Sequence, residues 1–221
     1  ISDARFNAKA NVSYLHNELT NLGNDTGYID LDTFQGLSGG GTRGSNGQPF
    51  PYFYGYKTAG VFQNMDEVKA YVNKDGNMIM PDAQPGDVRF VDVNGDGKIN
   101  ADDRTNIGNG TPKWTFGFNL GAEWKGFDFN LFLQGVTGNK VFDATYRTDV
   151  YSGNFPSWML SRWTGEGTSN KYPVLKAGDA TNWQVSDLYI CDGSYLRVKN
   201  ISLGYTLPKN LTQKLSISRL R

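Results

Sequence analysis

Between residues 113 and 124 apolar side chains fall on every second position. Trp114, Phe116, Phe118, Leu120, Ala122 and Trp124 share one face, and Thr115, Gly117, Asn119, Gly121 and Glu123 share the other. Successive side chains of a strand point to opposite faces, so this is a strand with one greasy side and one wet side. Phe127, Phe129, Leu131 and Leu133 repeat the pattern against Asp128, Asn130 and Gln134, with Phe132 out of phase. Only Lys125-Gly126 lies between the two, a hairpin-sized connection. Each strand holds about ten or eleven residues, enough to cross a bilayer at a tilt, whereas a sandwich strand is nearer five or six. Tryptophans at both ends of the first strand fit the aromatic girdles of a membrane barrel. Length, girdle and tight turn favour the wall of a large antiparallel transmembrane β-barrel, with a large soluble β-protein as the alternative.

Two further stretches fit the same wall. Phe6, Ala8, Ala10, Val12 and Tyr14 alternate with polar residues, and so do Ile201, Leu203, Tyr205 and Leu207. The latter strand should begin near Tyr195, but a strict period puts Arg197 and Lys199 beside Ile201. Those charges stand above the hydrocarbon or mark a bulge. Pro208-Lys209-Asn210 should turn, and residues 214–221 should start another strand. The connections are unequal: residues 16–112 and 138–193 are long, the others short. Outer-membrane barrels have short periplasmic turns and long extracellular loops, so both long excursions are expected outside the cell. Loops of that length should carry their own elements. Residues 50–62 suggest a hairpin or ribbon, residues 66–71 a turn or two of helix, and residues 155–163 a short loop helix opened by Pro156. The glycine-rich run from Gly36 to Gly47 reads as flexible.

Lysine plus arginine and aspartate plus glutamate number 22 each, which argues against nucleic acid as a partner. One cysteine, Cys191, and one histidine, His16, make a thiol- or His-centred site improbable. No apolar run reaches the roughly 18 residues of a membrane helix, which says nothing of barrel strands. Acidic pairs exist (Asp102 with Asp103, Asp179 with Asp187), but such carboxylates are usually solvated or turn-forming, and the chain is not expected to be an enzyme. Trp158, Trp163 and Trp183 could stack on sugar rings, though ordering a long loop is the commoner use of such side chains.

The run Asp92 to Asp103 places oxygen-bearing side chains at positions 1, 3, 5, 9 and 12 of a twelve-residue loop, with glycine at 6 and an apolar residue at 8. That is the pattern of an EF-hand-like calcium loop. A hard cation takes six to eight oxygens, and Asp92, Asn94, Asp96, the Lys98 carbonyl and Asp103 are its candidate ligands. Asp103 replaces the usual glutamate with a shorter arm. The competing reading is a set of ordinary Asx turns without metal.

The segments 49–63, 85–99, 107–113 and 192–208, in that order and spacing, resemble the C-terminal half of the barrel in SusC/RagA-type TonB-linked outer-membrane proteins. The likeness covers nearly the whole chain and is weakest across residues 16–48. It implies a barrel of about 22 strands closed around an N-terminal plug. It further implies import of an oligosaccharide or peptide, energy from TonB through the missing N-terminal part, a SusD-like lipoprotein capping the outside, and outer-membrane lipid around the wall. Plug, TonB box and signal peptide are lacking here, so residues 1–221 are expected to be part of a larger polypeptide in a Gram-negative outer membrane. The alternative function is a soluble, secreted, calcium-stabilised β-module that binds carbohydrate.

Overall fold

Strands form wherever the sequence alternates, and they pair antiparallel. In a computed structural model, which describes residues 4–34, 37–145 and 154–221, the strands in chain order are β1 Arg5–Tyr14, β2 Tyr28–Thr33, β3 Gly41–Ser45, β4 Tyr52–Gly55, β5 Thr58–Val61, β6 Val88–Phe90, β7 Thr105–Gly108, β8 Trp114–Trp124, β9 Phe127–Thr137, β10 Lys140–Phe142, β11 Ile190–Asp192 and β12 Tyr195–Tyr205. Two short helices, α1 Met65–Ala70 and α2 Lys209–Thr212, complete the regular elements, with 3-10 turns between them.

The chain divides into two units. The first comprises Ile1–His16, Thr111–Asn139 and Gly193–Arg221. It is one sheet in the order β1-β8-β9-β12. β8 and β9 join through Lys125 and Gly126, both at positive φ (47° and 88°), the twisted two-residue turn that matches the twist of the flanking strands. Tyr14, Trp114 and Thr137 lie abreast at one end of the sheet, and both long excursions leave from that end. Four strands cannot close a barrel of this kind, and β1 and β12 are its edges. The expected strand at residues 214–221 does not form. Leu207 N–H instead bonds the Leu220 carbonyl, and α2 runs into a 3-10 turn, Gln213–Leu215, ended by Ser216 at φ 56°. Alternation without a partner ladder does not make a strand.

The second unit comprises Asn17–Gly110 and Lys140–Asp192, so the two excursions fold into a single body. Bonds across the sequence join them. Thr58 Oγ1 donates to Asp187 Oδ1 at 2.6 Å, Val88 N–H to Asn182 Oδ1 at 2.7 Å and Gln63 Nε2 to the Ser169 carbonyl at 3.1 Å. Its core holds three clusters: Met159, Trp183 and Tyr189; Tyr56, Val88 and Phe90; and Phe62, Val68 and Ala83. α1 delivers Val68 to the third. Asn64 caps it by accepting from Glu67 N–H at 3.0 Å, and Glu67 reaches back to Gln63 N–H. Residues 50–62 are not one hairpin: β4 belongs to the sheet β2-β3-β4-β7, while β5 pairs with β6. The glycine-rich run is ordered as β3 from Gly41 on, and Gly36 lies outside the described residues. The loop helix is a 3-10 turn, Ser157–Ser161, with Pro156 as its cap rather than its first residue.

Candidate functional site

The sheet of the first unit has two chemically opposite faces, set by register. Rows across the four strands read Val12, Phe116, Gly135, Leu196, then Ala10, Phe118, Leu133, Val198, then Ala8, Leu120, Leu131, Ile201, then Phe6, Ala122, Phe129, Leu203. Tyr14 against Trp114 (rings 4.7 Å apart) closes this band at one end, and Trp124 with the Phe127–Tyr205 pair (4.5 Å) closes it at the other. The band is uncovered: Leu203 is 76% and Ile201 66% exposed, and Trp114 and Phe118 are exposed too. Every buried apolar side chain among the described residues belongs to the second unit. Eleven residues of strand span about 34 Å and, tilted by about 45°, cover roughly 24 Å, the height of the apolar belt of an outer-membrane barrel.

The opposite face is wet. Asn200 Nδ2 donates to Asn130 Oδ1 (3.4 Å), and Asn130 Nδ2 to Asn119 Oδ1 (3.3 Å), an amide ladder across three strands. Arg221 Nε donates to Asp128 Oδ1 at 2.8 Å. Asn200 joins because the β12 register shifts between Val198 and Asn200. One extra residue, Lys199, makes a β-bulge, so Val198 and Ile201 both face the apolar side while Arg197 lies opposite Gln134 on the polar side. The adjacent polar pair Lys199-Asn200 between two aliphatic residues was the available sequence signal for that bulge.

The loop of residues 92–103 closes on itself. Asp92 accepts from Gly95 N–H (2.6 Å) and Gly97 N–H (2.8 Å), Asn94 from Asp96 N–H, and Asp96 from Lys98 N–H. Asp103 is fully buried. It accepts from Val93 N–H at 2.9 Å, Asn94 N–H at 3.4 Å and Asn100 N–H at 2.8 Å, the last closing a capping box with Asn100, the N-cap of the 3-10 turn Ala101–Asp103. Desolvation raises the Asp96 carboxyl, but hydrogen bonds from Lys98 N–H and the Asn100 amide outweigh it and hold that group below its ordinary range. The five candidate ligands therefore share one turn. Among the described residues no three His, Cys, Asp or Glu side chains gather where they could hold a metal, so Asp92, Asp96 and Asp103 do not form a three-carboxylate cluster. Gly97 sits at φ +85°, and a Cβ there would meet Asn73 Nδ2 at 2.4 Å. Gly97→Ala is expected to lower stability by about 1–2 kcal/mol, read as a drop in melting temperature.

The acidic pairs are engaged separately. Asp179 holds Thr181 N–H and Asn182, and Asp187 holds Thr58. Trp183 is 3% exposed in the core, and Trp158 stacks on Tyr172 with rings 4.6 Å apart, so both order the second unit.

No family model matches the chain. It is 33% identical over 177 residues, 79% of its length, to TonB-dependent receptor P3 of Formosa agariphila. It is 27% identical over 207 residues, 92% of its length, to TonB-dependent receptor SusC of Bacteroides thetaiotaomicron. Its fold superposes on the RagAB peptide transporter with a TM-score of 0.66 at 26% identity, covering 95% of this chain and 21% of that one. The chain belongs to the SusC/RagA-type TonB-dependent receptors. It spans 17 to 23% of the length of the curated relatives it matches. As a receptor of this type it resides in the outer membrane of a Gram-negative bacterium, and the uncovered apolar band is that of a partial barrel wall. The relatives are receptors and transporters, not enzymes.

Proposed function

We propose that the receptor imports a nutrient, an oligosaccharide or a peptide, across the outer membrane. Energy comes from TonB through the N-terminal part of the polypeptide, and a SusD-like lipoprotein closes the outer side. The observation that carries this reading is the apolar band, uncovered across four antiparallel strands and bounded by aromatics at both ends. A soluble sugar-binding module would leave that face in water. Residues 16–112 and 138–193 are the extracellular excursions, since both depart from one end of the sheet while the opposite end carries the two-residue turn. The polar face, with its Asn119–Asn130–Asn200 ladder, lines the lumen. Deleting the receptor should abolish growth on at least one oligosaccharide or peptide source, and a surface lipoprotein should co-purify with it. Unchanged growth on all of them would remove the proposal.

Calcium in the 92–103 loop, held by Asp92, Asn94, Asp96, the Lys98 carbonyl and Asp103, fits the same reading. Outside the cell free calcium is high enough to fill a weak site. The cation would draw these oxygens together, and it would stiffen the loop. Chelation should speed amide exchange at Gly95 and Gly97 in the wild type. The double variant Asp92→Ala/Asp96→Ala should exchange fast with or without calcium. Protection indifferent to calcium in the wild type would leave only the Asx turns.

A further inference from the structure

In the second unit a cavity of about 440 Å³ opens between residues 79–99 of the first excursion and residues 176–184 of the second. Small-ligand pockets run from about 300 to 1,000 Å³. One wall is polar and fixed. Asn182 is buried and fully engaged: Oδ1 accepts from Val88 N–H at 2.7 Å, and Nδ2 donates to Asp87 at 2.9 Å and to Asp179 at 2.5 Å. Lys176 pairs with Asp87, whose other oxygen accepts from Gln84 N–H at 2.9 Å. Asp179 also accepts from Thr181 N–H at 3.0 Å. The charge left over, on Asp179 and on exposed Asp82 at the rim, is negative. The opposite wall is apolar. Met80 and Ile99, both half-buried, pack on the Tyr56–Val88–Phe90 cluster and line the cavity. Three neutral side chains complete the lining, and solvent reaches them. The Gln84 amide and the Thr181 hydroxyl are exposed and make no hydrogen bond among the described residues. Gln184 is half-buried and makes one long contact, from Nε2 to the Thr181 carbonyl at 3.4 Å. Each of the three both donates and accepts.

We infer that this cavity is a subsite for a pyranose ring of a neutral oligosaccharide. A sugar ring carries hydroxyls around its rim and C–H groups on its faces. Gln84, Thr181 and Gln184 answer the hydroxyls, which donate and accept as they do, and Met80 and Ile99 cover a C–H face. The negative surplus repels a carboxylate, so an acidic sugar or a free peptide C-terminus is selected against. An extended peptide pairs through main-chain groups in line along a strand edge, whereas the open groups here are side chains set around a cavity. The polar wall is held by its own bonds, so it receives the ring without reordering. The inference rests on the import reading, and it narrows the imported ligand to a neutral sugar.

The full-length receptor in detergent micelles can be titrated calorimetrically with maltotriose, cellotriose and mannotriose, and with trigalacturonate and trialanine. At least one neutral trisaccharide should bind, and trigalacturonate and trialanine should bind about tenfold more weakly or not at all. Gln184→Leu should weaken that sugar about tenfold, the loss of one hydrogen-bonding group at the ring. Thr181→Trp should abolish binding by filling the mouth, and at an exposed position it leaves the core intact. Failure of every neutral trisaccharide to bind overturns the subsite. So does affinity unchanged in both variants, or the acid or the peptide bound in the sugar's place. Uptake of labelled nutrients by cells reports separately. Import with no neutral trisaccharide bound removes the subsite alone, while binding lost in Thr181→Trp, without import in the wild type, removes the import reading alone.

Discussion

Leu131→Arg should keep the receptor out of the outer membrane. Leu131 sits on the central strand β9 in the row Ala8, Leu120, Leu131, Ile201, with apolar rows above and below it. An arginine near the middle of a lipid-facing belt costs about 2–4 kcal/mol, a large part of a domain's ~5–15 kcal/mol of net stability. Snorkelling would have to carry the guanidinium past Phe129 or Leu133 to reach the interface. Asn130→Arg adds the same charge one residue away. Because side chains alternate, it points to the polar face beside Asn119 and Asn200, where the expected loss is well under half as large. The folded fraction in outer-membrane preparations, read from heat-modifiable gel migration, separates the two. Equal behaviour of both variants would show that the apolar band does not face lipid.

The wall was legible because a period of two is a local property. β1, β8, β9 and β12 each announce their buried-or-lipid face within ten residues, and the tight turn at Lys125-Gly126 announces the pairing of β8 with β9. Local pattern fails in three identifiable ways. It is necessary and not sufficient: residues 214–221 alternate, yet Ser216 adopts a left-handed backbone and Leu220 caps Leu207 instead of joining a ladder. It is broken by single insertions: a strict period sets Arg197 beside Ile201, and the bulge at Lys199, one of the two readings those charges allow, moves it to the polar face. And it is silent on partners far apart in the chain. Thr58 with Asp187 and Val88 with Asn182 make one body of two excursions, and nothing near Thr58 or Val88 in sequence signals those bonds. The 92–103 loop is the intermediate case: its spacing was readable, while the burial of Asp103 and its three N–H partners was not.

That burial makes Asp103 the residue of the loop whose loss should matter most. In Asp103→Ala the N–H groups of Val93 and Asn100, partly buried and bonded at 2.9 and 2.8 Å, lose the acceptor that the buried carboxylate supplies, and the weaker bond from Asn94 goes with them. At about 1–3 kcal/mol for each buried group left unpaired, the expected destabilisation is about 3 kcal/mol or more. Asp103→Asn keeps the volume and one oxygen but turns an amide NH2 against an N–H, so roughly half of that loss should remain. The pair of variants also separates the two roles open to this carboxylate. If it acts only as a clasp for the backbone, melting temperature and exchange protection at Val93 and Asn100 fall equally with calcium or with chelator. If it is also a ligand, the wild type gains stability from calcium, the variants do not, and the gap between them widens as calcium is added, because a cation that binds the folded loop alone stabilises it by mass action.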